Sequence, residues 1–229
     1  VTVEFDPMLA KVISHAPTRT EAALKLALAL ERTRLHGVTT NRDFLVAALR
    51  NDEFLAANTT TDFIDRVSIP GQRVPTECEL EDASIAIVLM AQKSNRSKAI
   101  ALRFMPSGFR NSSMPSQQMV LIHGETEIVV NYRRLRNGSF EIRIGEETES
   151  RSAKLLSSTS DHFEIQLDGV HASGYASKFG SRWYVDIPAG GLSLLEKSRF
   201  PGADIADIEG GLTAPMPGKI LAIEVAKGD

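Results

Sequence analysis

The first third of the chain has the hydrophobic spacing of helices. Thr18 and Glu21 show the T-x-x-E spacing of a capping box, and apolar residues then recur at helical intervals. A second helix start follows at Asn41, and shorter apolar turns continue to Arg66. The pattern therefore predicts a mainly helical segment that ends near residue 67, ahead of a stretch containing Pro70.

A nearly uninterrupted apolar run occupies residues 83–91. A helix that is apolar on every side must be buried on every side, but a short inner strand gives the same pattern. Acidic residues precede the run and basic residues follow it, as at Glu79 and Lys98, which suits the dipole of a helix. We interpret residues 82–98 as a buried central helix, with an inner strand as the alternative.

Eight short strand-like segments follow between residues 119 and 195, at the spacing of hairpins. Asn137-Gly138 and Asp168-Gly169 are strong hairpin turn signals. Many short antiparallel strands form a sandwich or a barrel, and a neighbouring buried helix favours a barrel closed around that helix. The alternating residues 100–104 predict one further strand. The predicted fold class is therefore α+β.

Composition limits the classes of binding partner and the type of cellular compartment that we expect. The chain has 229 residues, 42% hydrophobic and 24% charged, with a net charge of -3. No overall positive field would gather nucleic acid, and no stretch approaches the ~20 apolar residues of a membrane helix. The single cysteine, Cys78, excludes an internal disulfide framework and favours a reducing compartment. We expect neither nucleic acid nor membrane as a partner.

The residue types needed for chemistry do not occur in recognisable arrangements. None of the five histidines has a second ligand at metal-binding spacing, and no nucleophile elbow or phosphate-binding glycine loop is present. The paired carboxylates, such as Glu146 and Glu147, are more typical of solvated turns. We predict no catalytic, cofactor-binding or metal-binding residue in this chain.

Short sequence motifs at the two ends of the chain resemble those of a known protein family. Residues 5–13 (FDPMLAKVI) and 37–45 (GVTTNRDFL) resemble the end of a biotin carboxylase domain. Residues 214–220 (APMPGKI) resemble the opening strand of a biotinyl carrier domain. With its motifs in this order, the chain resembles the alpha subunit of a biotin-dependent acyl-CoA carboxylase of the propionyl-, acetyl- or methylcrotonyl-CoA type.

The resemblance implies a domain organisation. Residues 1–67 would be the C-terminal part of the biotin carboxylase domain, and residues 214–229 the truncated start of the carrier domain after a linker at 201–213. Residues 68–200 would be the domain through which the carboxylase binds the carboxyltransferase. Within it we expect the central helix at 82–98, a loop at 103–118 and the barrel at 118–197. The chain would then be an internal piece of a longer protein.

The loop at residues 103–118, called the hook loop below, is the candidate interaction site. The resemblance implies that it grips the carboxyltransferase beta subunit. Aromatic and arginine side chains on an otherwise polar loop also belong to the residue types that supply most interface energy. The expected contacts are Phe104, Phe109, Arg110 and Asn111. The alternative is a solvated loop whose Phe109 packs onto its own barrel.

For the whole protein, the resemblance implies a ligase of fatty acid metabolism that uses ATP and Mg to carboxylate biotin. Its beta subunit would then carboxylate an acyl-CoA. The ATP-binding residues and the biotinylated lysine would lie outside this chain, which would be an inactive assembly segment. Its partners would be the beta subunit and its own carboxylase and carrier domains, in a hetero-oligomer. We expect a bacterial cytoplasm, with a mitochondrial matrix as the alternative.

Two other functions remain open at this point. The barrel would serve as a ligand-binding or single-strand nucleic-acid-binding module if aromatic side chains lay over a basic track. Tyr132, Arg133, Arg134 and Arg136 form the one such cluster in the chain. Alternatively, the segment would belong to a single-chain carboxylase, such as pyruvate or urea carboxylase.

Overall fold

A computed structural model describes residues 8–101, 104–105, 109, 115–145 and 149–200. The chain divides into two compact units, Val1–Lys197 and Ser198–Asp229, and the first unit contains all the helices and strands of the described residues. Its helices are α1 (Arg19–Glu31), α2 (Arg42–Arg50), α3 (Asp52–Leu55), α4 (Phe63–Val67) and α5 (Glu77–Lys98). Its strands are β1 (Gln117–His123), β2 (Thr126–Arg134), β3 (Phe140–Ile144), β4 (Arg151–Ser158), β5 (His162–Leu167), β6 (Val170–Phe179), β7 (Arg182–Ile187) and β8 (Gly190–Glu196).

The predicted capping box begins α1. The Thr18 hydroxyl accepts a hydrogen bond from the Glu21 amide, and the Glu21 carboxylate accepts one from the Thr18 amide, both at 3.3 Å. These bonds satisfy two of the amide donors that every helix start leaves unpaired. The helix then packs with α2 around a small core, formed by Ala23, Ala27, Leu30 and Leu49.

The apolar run is a helix, as its flanking charges indicated. A second capping box, between Thr76 and Glu79, begins α5. All nine residues from Ala83 to Ala91 are buried, so the helix is enclosed on every side. The one polar side chain in this run, Ser84, donates its hydroxyl to the Leu80 carbonyl at 2.6 Å and so avoids an unsatisfied buried group.

The eight strands form a closed antiparallel barrel around α5, which confirms the predicted architecture. Each strand pairs with the next, and β1 pairs with β8 at Leu121 and Glu196 to close the sheet. The β5–β6 turn has positive φ at Asp168 (50°) and Gly169 (89°), as the two central residues of a tight hairpin turn require. Inward-facing side chains of the strands and the buried face of α5 form one hydrophobic core.

The strand predicted at residues 100–104 is wrong at the three positions that the structure describes, Ile100, Ala101 and Phe104. Ala101 lies in a bend and Phe104 in a turn. A strand needs a partner for its backbone groups, and pairing of β1 with β8 leaves the closed barrel without a free edge. Alternation of apolar residues alone could not reveal that.

The helical segment contacts the outer face of the barrel. The His36 ring stacks on Tyr184 with 5.1 Å between ring centroids, and its two nitrogens lie 2.8 Å from Asp186 and Ser177 oxygens. Arg34 lies over the Tyr175 ring at 3.4 Å. These side chains attach the segment between α1 and α2 to strands β6 and β7. Within the described residues, no helix is both long and apolar enough to cross a membrane.

Candidate interaction site

The two ends of the barrel differ in charge, and α5 defines them. The end at which α5 begins contains the β1–β2, β3–β4, β5–β6 and β7–β8 turns, and we call it the acidic end. The end at which α5 terminates contains the β2–β3, β4–β5 and β6–β7 turns, and we call it the basic end. Strand β4 links them, since Arg151 at its start bonds Asp82 of α5 and Ser158 at its finish bonds Lys93.

The hook loop leaves and re-enters the barrel at the basic end. The Arg96 guanidinium donates to the Met105 carbonyl, which ties the loop to the last turns of α5. On the return side, the Gln92 amide donates to Gln117 at the start of β1 and to the Tyr132 hydroxyl, each at 2.8 Å. The last turns of α5 therefore fix both bases of the loop.

The structure describes two of the four predicted contact residues. Phe104 is 84% exposed and Phe109 is 49% exposed, so the loop presents both rings at least partly to solvent. Arg110 and Asn111 lie outside the described residues. Single exposed apolar side chains are common on protein surfaces, so the exposure of Phe104 shows that the ring is accessible to a partner but does not by itself mark a binding surface.

Two cavities flank the end of α5. One, of about 420 Å³, lies beside the hook loop and is lined by Phe104, Arg96, Arg134 and Leu155 among others. The other, of about 490 Å³, lies on the opposite side of the helix and is lined by Asn95, Lys98, Gly180 and Trp183 among others. The basic end thus offers depressions on both sides of one helix.

The exposed cations of the basic end outnumber the carboxylates available to them. The Glu141 carboxylate bonds Arg133 at 2.5 Å, and this hydrogen bond lowers the pKa of Glu141 below its ordinary value. Glu196 accepts from Lys178 at 2.6 Å and from the Trp183 indole at 2.7 Å. In the described part of the chain, four exposed cations there form no ion pair: Lys98, Arg134, Arg136 and Arg182.

The acidic end, by contrast, is organised around one guanidinium. Arg151 lies 2.8 Å from Asp82, 2.8 Å from Asp168 and 3.5 Å from Glu81. Partial burial disfavours the charged form of Asp168, but hydrogen bonds from Arg151 and the Ser152 amide outweigh it, and the pKa of Asp168 is lowered. This end satisfies much of its own charge.

Sequence reasoning missed Phe179, which is the last residue of β6, next to the β6–β7 turn, and is 83% exposed. It also missed Ile100, which follows α5 and is 91% exposed. A signal for Phe179 did exist, because side chains alternate between the two faces of a strand, and Phe179 falls on the opposite face from the buried Gly174 and Ala176. Both apolar residues lie at the basic end.

The described residues at the two ends of the barrel do not match the arrangements that bind metal ions. Among the described residues, no group of three or more His, Cys, Asp or Glu side chains is placed to hold a metal ion. The arrangement at the basic end consists of exposed aromatic and cationic groups, which suit recognition of a surface.

Comparison with known proteins finds similarity to biotin-dependent carboxylases. Residues 1–66 match the biotin carboxylase C-terminal domain family. Over 248 aligned residues, the chain is 28% identical to the methylcrotonoyl-CoA carboxylase alpha subunit of Rattus norvegicus, and the match covers the whole chain. The chain is homologous to biotin-dependent carboxylase alpha subunits. The match covers 34% of the rat protein, so the chain spans about a third of the length of such relatives.

Other relatives match shorter parts of the chain. Biotin carboxylase 2 of Bacillus subtilis is 44% identical over 64 residues, which is 28% of this chain and 14% of the relative. Urea amidolyase of Saccharomyces cerevisiae is 36% identical over 80 residues, which is 35% of this chain and 4% of the relative. The alpha-subunit relatives, in contrast, match through the barrel as well.

Proposed function

We propose that this segment of the carboxylase holds a biotin carboxylase to a carboxyltransferase beta subunit, with the hook loop as the principal contact. The observation that carries the proposal is the 84% exposed Phe104 on a loop that Arg96 ties to the enclosed helix. A buried helix is a rigid support, and a large exposed ring on a rigid support suits a partner's pocket.

The attachment of the helical segment to the barrel supports the same role. His36 and Arg34 contact β6 and β7 through stacking, polar and cation–π contacts. A tethered biotin visits two active sites efficiently only if their separation is fixed and within reach. The contacts at His36 supply such a fixed relation between the carboxylase side and the barrel.

For the whole protein, we propose carboxylation of biotin with ATP, Mg and bicarbonate, followed by transfer to an acyl-CoA on the beta subunit. The residues that the structure describes include no group of three or more His, Cys, Asp or Glu side chains placed to hold a metal ion. No step of this chemistry is therefore assigned to side chains of this segment. Its contribution is positional.

The test uses the full-length alpha subunit and its beta subunit. Phe104→Ser should weaken the complex by roughly tenfold, as expected for loss of an aromatic interface anchor. Val74→Ser is the control, because Val74 is 85% exposed but precedes α5, at the other end of the barrel. Complex formation is measured by size-exclusion chromatography with light scattering. Carboxylation of free biotin should be the same in all three proteins.

A complex as tight with the Phe104→Ser subunit as with the Val74→Ser subunit would contradict the proposed role of the hook loop. The single-chain alternative gives a different result, since the natural polypeptide would then itself carry carboxyltransferase activity and recruit no separate beta subunit. The nucleic-acid alternative loses its stacking residue in the structure. Tyr132 is 7% exposed and its hydroxyl accepts a hydrogen bond from Gln92, so the ring faces the core.

A further inference from the structure

We propose that the beta subunit binds the whole basic end of the barrel, including the β6–β7 turn, through a surface that is acidic and has apolar pockets. This inference rests on the proposed function and extends the contact from the hook loop to Phe179, Lys98 and Arg182. The partner's chemistry follows from the fixed charge and the exposed apolar groups of this end.

The geometry places two aromatic projections on opposite sides of α5. Phe179 is 83% exposed, and it adjoins Gly180, which lines the cavity of about 490 Å³. Phe104 lines the cavity of about 420 Å³ on the other side of the helix. Each projection therefore stands beside a depression, and the end of α5 lies between them. A partner that covers the hook loop alone would leave Phe179 and its cavity in water.

The charge of the basic end indicates that the partner's surface is negatively charged. Lys98, Arg134, Arg136 and Arg182 are exposed and have no carboxylate partner among the described residues. Two turns of the barrel, β2–β3 and β6–β7, and the end of α5 contribute these cations, and one of them lines each depression: Arg134 the first and Lys98 the second. Exposed cations of this kind accelerate association with an acidic surface more than they tighten the final complex, and salt screens the effect.

The arrangement favours a protein partner over a nucleic acid. Single-strand binding needs successive aromatic rings along one basic groove. Here the exposed rings of Phe104 and Phe179 line or adjoin separate cavities on two sides of α5, and Tyr132 faces the core. Two isolated apolar projections beside depressions match a protein surface with complementary pockets.

Strand β6 supplies a matched pair of variants, since it runs from Val170 at the acidic end to Phe179 at the basic end. Both residues are exposed, at 69% and 83%. In full-length alpha subunit, Phe179→Ser should weaken binding to the beta subunit by roughly tenfold, whereas Val170→Ser should leave it unchanged. Surface plasmon resonance measures the affinity, and an unchanged melting temperature shows that both variants fold.

Two hairpins supply a second pair. Arg182→Glu in the β6–β7 hairpin should slow association with the beta subunit several-fold at low salt, and the difference should disappear at about 0.5 M salt. Glu125→Lys in the β1–β2 turn, at the acidic end, should leave the association rate unchanged. Charge reversal at an exposed site preserves the fold, so this pair is informative even if Phe179→Ser proves unstable.

The outcomes separate this inference from the function on which it rests. If the wild-type alpha subunit binds no beta subunit, the proposed function fails. If it binds, and Phe104→Ser weakens binding while Phe179→Ser and Arg182→Glu behave like their controls, the extended surface is overturned and the hook loop stands alone. Tight binding of a single-stranded oligonucleotide that Arg182→Glu abolishes would also overturn the inference.

Discussion

At the acidic end of the barrel one guanidinium pairs with several carboxylates, whereas at the basic end four exposed cations form no ion pair among the described residues. At the acidic end, the Arg151 guanidinium bridges Asp82 of α5 and Asp168 of the β5–β6 turn. At the basic end, Lys98 and Arg182 form no ion pair with any carboxylate of the described residues. The same helix and the same strands form both ends, so the core does not account for the difference.

The difference separates groups that hold the fold from groups that are available to a partner. A charge pair that joins two elements stabilises the fold only if both partners stay together, and losing one leaves the other uncompensated. An unpaired cation on the surface stays hydrated and costs the fold little. Hydrated cations and exposed rings at one end therefore destabilise the free barrel little. The same groups are available for contacts with a complementary partner surface.

The largest expected effect comes from the part that both ends share. Ile87→Ala removes a fully buried side chain at the centre of α5 and should destabilise the barrel by about 2–5 kcal/mol. Ile64→Ala, at a residue 57% exposed, should cost less than about 0.5 kcal/mol. Urea unfolding followed by fluorescence of Trp183, the one tryptophan, measures both. Equal midpoints for the two variants would contradict a shared enclosed core.

Steric crowding between β6 and its neighbours gives the next effect. A Cβ at Gly174 would lie 2.5 Å from the Asp186 carbonyl oxygen and 2.6 Å from the Phe163 ring. Gly174→Ala should therefore destabilise the barrel by about 1–3 kcal/mol. Gly71→Ala, with open space around it, is the control. The thermal midpoint of each variant gives the result, and a neutral Gly174→Ala would rule out the close approach of β6 and β7.

Removing the guanidinium at the acidic end tests the comparison directly. Arg151→Met should cost about 1–2 kcal/mol at neutral pH, because three carboxylates lose their shared partner. Arg182→Met at the basic end should change stability by less than about 0.5 kcal/mol. The midpoints of urea unfolding measure the stability of both variants. Similar losses of stability in the two variants would contradict the distinction between the ends.

The same pair should respond differently to acid. The pKa of Asp168 is lowered in the fold, so its ionised form contributes stability above the unfolded value of about 3.9, and that contribution is lost as pH falls through the folded value. The stability gap between wild type and Arg151→Met should therefore narrow as pH falls from 6 to 3. Carboxyl titration by NMR should show a higher pKa for Asp168 in the variant. A gap independent of pH would contradict this account.

The smallest effect is expected where the basic end meets solvent. Phe179→Ser and Val170→Ser should each change the free energy of unfolding by less than about 0.5 kcal/mol, since both side chains are mostly exposed. Only the affinity for the beta subunit should distinguish them. A large loss of stability in Phe179→Ser alone would show that the ring supports the barrel itself.

The elements of the fold could be predicted because their signals are local. The capping pair Thr18 and Glu21 marked the first helix, and the turn Asp168-Gly169 marked a hairpin whose positive φ values the structure shows. The continuous apolar run at 83–91 needed burial on all sides, which a barrel provides. Residues 100–104 failed because a strand also needs a partner, and sequence alternation does not contain that information.

The sequence by itself determined the buried central helix and the eight strands of the barrel. Tertiary structure alone decided which charges meet. Arg151 and Asp82 are 69 residues apart, and only closure of the barrel around α5 brings them within 2.8 Å. The same closure brings Phe179 to the end of the barrel where Lys98 forms no ion pair with any described residue. Local patterns fix conformation, whereas pairing over long separations depends on the register of the closed sheet.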